Sequence, residues 1–570
     1  MKAPRPATLA HPEPESEPPR NRSRAWVAAG ATVLSCVVVA LVASTPRSPF
    51  TPPLARGAEA PEALAGGASL LGLDTLARDV AGLVGTIVLV VAAAVFVFAL
   101  REAWRGRLSL RLVLVVGVAL HLLALVTPLF LSRDVYSYAI YGRMVSLHGL
   151  NPYTEIPAQA WNDPFNVQNL VSVDWIDSPA VYGPAFTVIS AGVTGAIRGV
   201  AETVFAFKAL AAAASVATMF VVVAAVRRVA PERAAFAAAI VGWNPVILFH
   251  GVGGGHNDTL VGLAVAAGAL LILTRRDLWA TSVLTLGALV KISGGIPLAI
   301  AVIASSLRRP RGERLRAFGL HAGIGLAVAL PFILPFMQAQ DPTLGTFELA
   351  GRQGWLAPPR LVLVVIRGIV NYTLGFTAGD VAAVVVRLAF PVLLLLVIWA
   401  ITRHLANAGE GLEPVVVVGG MGWAILLSMM VAPILLPWYA AWVVPLAWAL
   451  PRSARNGTVL TVVALTITEL VAEPSRAPRV WEVMVFSLHW IATPVVLAVL
   501  IFLLVDLRRR VARGPASGWL DPLLVEDGGI GASDDGRGRL ARAMVRGAGW
   551  VGLAPRRNVA AGAGGSRSRE

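Results

Sequence analysis

Residues 110–143 read LRLVLVVGVALHLLALVTPLFLSRDVYSYAIYGR. An apolar run from Leu110 to Leu131 is as long as a bilayer core requires, and it breaks directly into Arg133, Asp134 and a tyrosine-rich stretch. The same pattern repeats along the chain. Apolar runs cover 25–43, 80–100, 110–131, 204–226, 234–250, 259–274, 278–290, 292–306, 317–337, 381–402, 415–435, 438–450, 458–472 and 483–505. They lack the alternation of a lipid-facing barrel, so helices must satisfy their backbone polar groups. The expected fold is an all-α polytopic membrane protein of about 14 spans.

Composition agrees. Of 570 residues, 56% are hydrophobic and 14% charged, too few charges to cover a soluble chain of this size. Mean hydropathy is +0.71. The net charge of +15 lies in loops between apolar runs, so it reads as membrane topology and not as nucleic-acid binding. The single cysteine, Cys36, lies inside the first run and excludes a disulfide framework or a thiolate metal site. That first run is long for a signal peptide and reads as an uncleaved span.

Two stretches, 185–200 and 361–375, are short, interrupted by glycine, and carry Arg198 and Arg367. Laying both along the membrane surface puts the basic loops 101–107, 227–233, 275–277, 308–316 and 452–455, and the tail from Arg508, on one side. Both termini are then cytoplasmic, and the two stretches are juxtamembrane helices outside. Residues 1–24 and 507–570 read as disordered cytoplasmic tails. Residues 25–506 form the membrane domain, with 132–202 as its first outer loop.

In this topology four polar clusters fall on the outer side. The first holds Asp134, at the mouth of a span, followed by Tyr136, Tyr138, Tyr141, Arg143, His148, Asn151 and Tyr153. A carboxylate at that depth reads as functional, with pairing to Arg133 or Arg143 as the structural alternative. The tyrosines read first as an interfacial belt, although Tyr138 is also a candidate substrate contact. The second cluster is WNPVILFHGVGGGHND, 243–258. Its Asn257 or Asp258 suits a helix N-cap, while His256 and Asp258 suit hydroxyl binding and are too few for a metal site. The third is Lys291, a lone lysine between apolar runs. It either snorkels to the headgroups or, beside Gly294 and Gly295, holds a phosphate. The fourth is Pro437, Trp438, Tyr439 and Trp442, read as a belt or as a wall for a sugar or polyprenyl chain.

These residues carry a resemblance. RDVYSYAIYGR with HGLNPY, VYGP at 181–184, WNP with GGGHND, LVKISGG and PWYAAW together resemble the polyprenyl-phosphate-mannose-dependent α-1,6-mannosyltransferases of actinobacteria, of the GT-C class. The resemblance covers most of 25–505. It implies a GT-C-type helix bundle in the cytoplasmic membrane with its active site on the extracytoplasmic face. It implies transfer of mannose from polyprenyl-phosphate-mannose to an α-1,6-mannan or lipoglycan acceptor, with inversion and with Asp134 as general base. Substrate contacts are expected from Tyr138, Arg143, His148, Asn151, Tyr153, Tyr182, His256, Asn257, Asp258, Lys291, Arg352, Trp438 and Tyr439. Lys291, with Arg143 or Arg352, would steady the leaving phosphate. Asp134 is followed by Val135, where many GT-C enzymes have a second acid, so no metal or other cofactor is expected. Partners are the lipid donor, the glycan acceptor and membrane lipid, with no nucleic acid. The alternatives are an arabinosyl- or protein O-mannosyltransferase of the same class, an inactive assembly partner, or a transporter or lipid flippase. A transporter would place its ionisable groups near mid-bilayer and show internal repeats.

Overall fold

A computed structural model describes residues 22–46, 48–337, 356–468 and 478–513. Arg352 and most of both tails lie outside the described residues. Among the described residues there are helices and turns but no strand, so the chain is an all-α polytopic membrane protein. Among the described residues, seven helices are long and apolar enough to cross a membrane, including Val200–Val226 and Pro414–Val431. An eighth candidate is a bent pair, Pro231–Gly242 with Val246–Gly253, turned by 47°. The bend sits at Asn244-Pro245, where proline supplies no backbone N–H. Asn244 mends the gap: its Nδ2 donates to Ile240 O and its Oδ1 accepts from Val246 N.

The described residues add five shorter apolar helices: Leu110–Val126, Pro184–Ala196, Asp258–Leu273, Asp277–Val290 and Ile292–Leu307. At 13 residues, Pro184–Ala196 reaches only about 20 Å, less than a hydrocarbon core. The run 438–450 differs from its expected form. It is not one helix but a chain of single turns, Pro437–Tyr439, Ala440–Val443 and Val444–Leu446, all buried. Pro437 and Pro445 withhold the donors that a continuous helix there would need. The last helix runs to Arg513, past the expected boundary at 506, because Leu507 is buried and Asp506 binds Arg510 and Ser453.

The basic loops meet one another in two groups. Trp104 lies between two guanidinium groups, Arg233 at 3.8 Å and Arg455 at 3.9 Å, which joins loops 101–107, 227–233 and 452–455. Arg308 and Asp277, 2.7 Å apart, join two more. The polar clusters meet elsewhere. The connector 127–133 delivers Asp134 and is pinned at three points. Lys208 donates to Thr127 O, Phe130 N to Gly253 O, and Leu131 N to Phe50 O. Leu131 has φ +59°, a left-handed conformation that costs a branched side chain energy and that the pinning maintains.

Candidate active site

Asp134 opens the helix Asp134–Arg143, and its own N–H is held by Ser132 Oγ at 3.1 Å. One helical turn on, Tyr138 reaches the same side. Tyr136, Tyr138 and Tyr141 are each at most 2% exposed, which overturns the belt reading. The Tyr136 hydroxyl donates to Pro53 O and the Tyr141 hydroxyl to Ser178 O, both at 2.8 Å. The Tyr138 hydroxyl lies 3.2 Å from His256 Nδ1 and 3.4 Å from Asn257 Oδ1. Burial keeps this phenol protonated, well above its ordinary range.

The turn Gly253–Asp258 comes up beneath Asp134. Gly255 has φ +65°, and a Cβ there would lie 2.6 Å from Val135 Cγ2, so only glycine lets the turn approach this closely. His256 is fully buried and stacks on Trp438 at 3.6 Å, with Nδ1 3.7 Å from Asp134 Oδ2. Burial, then the charge of Lys291, hold its imidazole neutral, well below the usual range. Neither Asn257 nor Asp258 caps the helix Asp258–Leu273 through its side chain. Asp258 instead accepts from Lys291 Nζ at 2.9 and 3.1 Å and from Trp442 Nε1 at 2.7 Å.

Lys291 therefore turns inward and does not snorkel. Its ammonium lies 4.6 Å from the Tyr439 ring and 5.4 Å from the Trp442 ring, distances of cation–π attraction. Its place is set by VYGP. Gly183 N donates to Val290 O at 3.1 Å, and a Cβ on Gly183 would stand 2.1 Å from Leu289 O. Tyr182 packs edge-on against Tyr138, ring centroids 4.8 Å apart. Asp134 itself keeps a fifth of its side chain exposed. Burial raises its carboxyl to about 6, opposed by Lys291 and reinforced by Asp258.

Five segments distant in sequence thus bring together Asp134, Tyr138, Tyr182, His256, Asn257, Asp258, Lys291, Trp438 and Tyr439. Two buried donor-capable atoms among them, His256 Nε2 and Asn257 Nδ2, have no hydrogen-bond partner. The arrangement offers one carboxylate poised to accept a proton, one held cation, and unfilled polar positions suited to hydroxyl groups.

Other expected residues go elsewhere. Arg143 Nε and His148 Nε2 both bind Asp163 Oδ2, at 2.7 and 2.8 Å, in a buried cluster inside the loop. Arg143 is thus committed to Asp163 and not to Asp134. Asn151 Nδ2 donates to Phe336 O at 3.2 Å. The Tyr153 hydroxyl donates to Tyr182 O at 2.7 Å, so Tyr153 supports the wall from behind. Sequence reading leaves out Lys208 and gives Trp442 only as part of a belt or wall, not as the partner of Asp258. A lone lysine within an apolar run was the available signal for Lys208. Among the described residues, no group of three or more His, Cys, Asp or Glu side chains converges as if around a metal.

Residues 56–306 match the family described as Alpha-(1->6)-mannopyranosyltransferase, N-terminal domain. The chain is 28% identical over 390 residues to alpha-(1->6)-mannopyranosyltransferase A of Mycobacterium tuberculosis, covering 65% of this chain and 70% of that protein. It is 29% identical over 404 residues to a probable alpha-(1->6)-mannopyranosyltransferase of Mycolicibacterium smegmatis, covering 62% and 68%. Identity to alpha-(1->6)-mannopyranosyltransferase A of Corynebacterium glutamicum is 28% over 350 residues, covering 56% and 68%. No solved structure matches the chain.

Proposed function

We propose that this chain, a hexosyltransferase, belongs with the actinobacterial alpha-(1->6)-mannopyranosyltransferases it resembles and transfers mannose from polyprenyl-phosphate-mannose to a mannan hydroxyl at the Asp134–Lys291 cluster. The observation that carries this reading is the convergence of Asp134, His256, Asp258 and Lys291, all within the matched residues 56–306. The bundle is read as GT-C-type, in the cytoplasmic membrane, with the cluster on the extracytoplasmic face. A proton acceptor and a cation at one mouth of the bundle suit an acceptor hydroxyl and a lipid phosphate arriving from opposite sides.

The reaction is a single displacement. The acceptor oxygen attacks the anomeric carbon while Asp134 takes its proton. The bond from that carbon to the phosphate oxygen breaks, and the electron pair leaves with the polyprenyl phosphate. Attack opposite the leaving group inverts a β-linked donor to an α product. A carboxyl raised to about 6 remains largely ionised at neutral pH and is a stronger base than an exposed aspartate. Lys291 faces the charge that grows on the leaving oxygens. Asp258 and Trp442 hold the Lys291 side of the site in place, so little reorganisation is needed as the charge moves. His256 Nε2 and Asn257 Nδ2 are assigned to sugar hydroxyls.

The deciding experiment uses purified protein in detergent, where no compartments exist for net transport. Radiolabelled polyprenyl-phosphate-mannose and a short α-1,6-mannoside should give an extended, α-linked, labelled product. Label that stays on the lipid with every mannoside offered would sink the reading.

A further inference from the structure

The loop that carries Asp134 has a core of its own. Tyr153, Phe165, Leu170 and Val171 are each at most 4% exposed. Against that core, three apolar side chains turn fully outward: Trp161 at 76%, Val167 at 66% and Val173 at 83%. Trp161 thus offers an open indole face on a folded loop.

We propose that the rim from Trp161 to Asp177 docks the acceptor glycan, a neutral hexose chain, and leads its end toward Asp134. The proposal rests on the transferase reading above. Trp161 stands on a pinned turn. Asn166 Nδ2 donates to Pro157 O at 2.7 Å and to Ala160 O at 2.9 Å, and Asp163 N donates to Ala160 O at 2.9 Å. Asp163 in turn is anchored by Arg143 and His148. A platform fixed in this way loses little freedom when a ligand settles on it.

The rim also adjoins the site. Ser178, next to Asp177, accepts from the Tyr141 hydroxyl. The Tyr141 ring lies 6.2 Å from Tyr182, which packs on Tyr138. Its chemistry suits a sugar: an indole face for the C–H surface of a hexose, with the exposed carboxylates of Asp174 and Asp177 as acceptors for hydroxyl groups.

Charge selects this occupant over a bilayer surface. The loop from Ser132 to Pro184 carries five carboxylates against Arg133 and Arg143; Arg143 and Asp163 pair in its interior, which leaves four carboxylates against Arg133. An acidic rim repels anionic headgroups and accepts an uncharged, hydroxyl-rich chain.

The test compares wild type, Trp161→Ala and the double variant Asp174→Asn/Asp177→Asn, full length in nanodiscs. Two measurements are made: transfer to an α-1,6-mannose disaccharide and to a hexasaccharide, and equilibrium binding of a fluorescent hexasaccharide, which needs no turnover. For each variant, kcat/KM with the hexasaccharide should fall about tenfold through KM, and binding should weaken equally. Disaccharide transfer and donor KM should stay within about twofold of wild type. Equal losses on both acceptors, no loss on either, or quenching of Trp161 emission by brominated lipid would overturn the docking surface while leaving the transferase reading intact. Wild type that binds the hexasaccharide through Trp161 but transfers to neither acceptor would keep the docking surface and overturn the transferase reading.

Discussion

Asp134 stands between two demands. Burial raises its folded carboxyl to about 6, above the ordinary value of 3.8. Keeping it ionised therefore costs the fold stability at neutral pH, and that cost is relieved as pH falls through about 6 toward 4. On the proposed mechanism catalysis runs the other way, because a general base must be ionised. Activity should decline below pH 6 while the fold grows more stable over the same window. Asp134→Asn separates the two effects. Turnover should fall roughly a hundredfold or more, the acid limb of the pH–rate profile should vanish, and the melting temperature at pH 7.5 should rise. A variant within a few fold of wild type, or one that melts lower, would show Asp134 to be structural. At this scale the sequence was a good guide to carboxylates and a poor one to their partners. Asp134, Asp258 and Lys291 are conspicuous because each sits beside an apolar run. That Lys291 clasps Asp258, and that Arg143 turns to Asp163, depends on contacts across 33 and 20 positions that periodicity does not encode.

Elements place those side chains through close backbone approaches. The segment Val181–Pro184 lies against the end of helix Asp277–Val290 so tightly that Gly183 has no room for a methyl group. The obstacle is the Leu289 carbonyl, which cannot swing away as a flexible side chain would. Gly183→Ala should therefore displace Lys291, destabilise the protein by roughly 1–3 kcal/mol and raise donor KM. Gly192→Ala, on the helix Pro184–Ala196 with open space around it, should be neutral or slightly stabilising. Thermal melts and donor titrations of the two variants decide the matter, and equal behaviour counts against the close-approach argument. Continuous apolar helices were readable from their length. The segment 437–446 was not, because its apolar content fits a span while its prolines divide it into turns that wall the site. The tyrosines were misread for a related reason: composition suggests an interfacial belt, and only packing reveals that all three are buried.

Across the whole molecule, one charge asymmetry orders the ends of the bundle. If the basic loops are cytoplasmic, a cysteine replacing Gln159, exposed on the first loop, should react with an impermeant thiol reagent in intact cells. One replacing Gly312, exposed among the arginines, should not. The reverse pattern would turn the bundle over and remove the outward-facing site with it. The family match ends at residue 306, yet the site is closed by Trp438, Tyr439 and Trp442 from far beyond it. This gathering of distant segments has a temporal side. The ribosome makes Asp134 early and Trp442 late, 308 positions further along the chain. At cellular synthesis rates that interval is roughly 15–60 s. Throughout it the nascent protein holds Asp134, His256 and Lys291 without the indole that fixes Asp258. On the proposed mechanism, catalytic competence is among the last properties this chain acquires, and an unfinished copy in the membrane would be spared from acting on its donor before the pocket is closed.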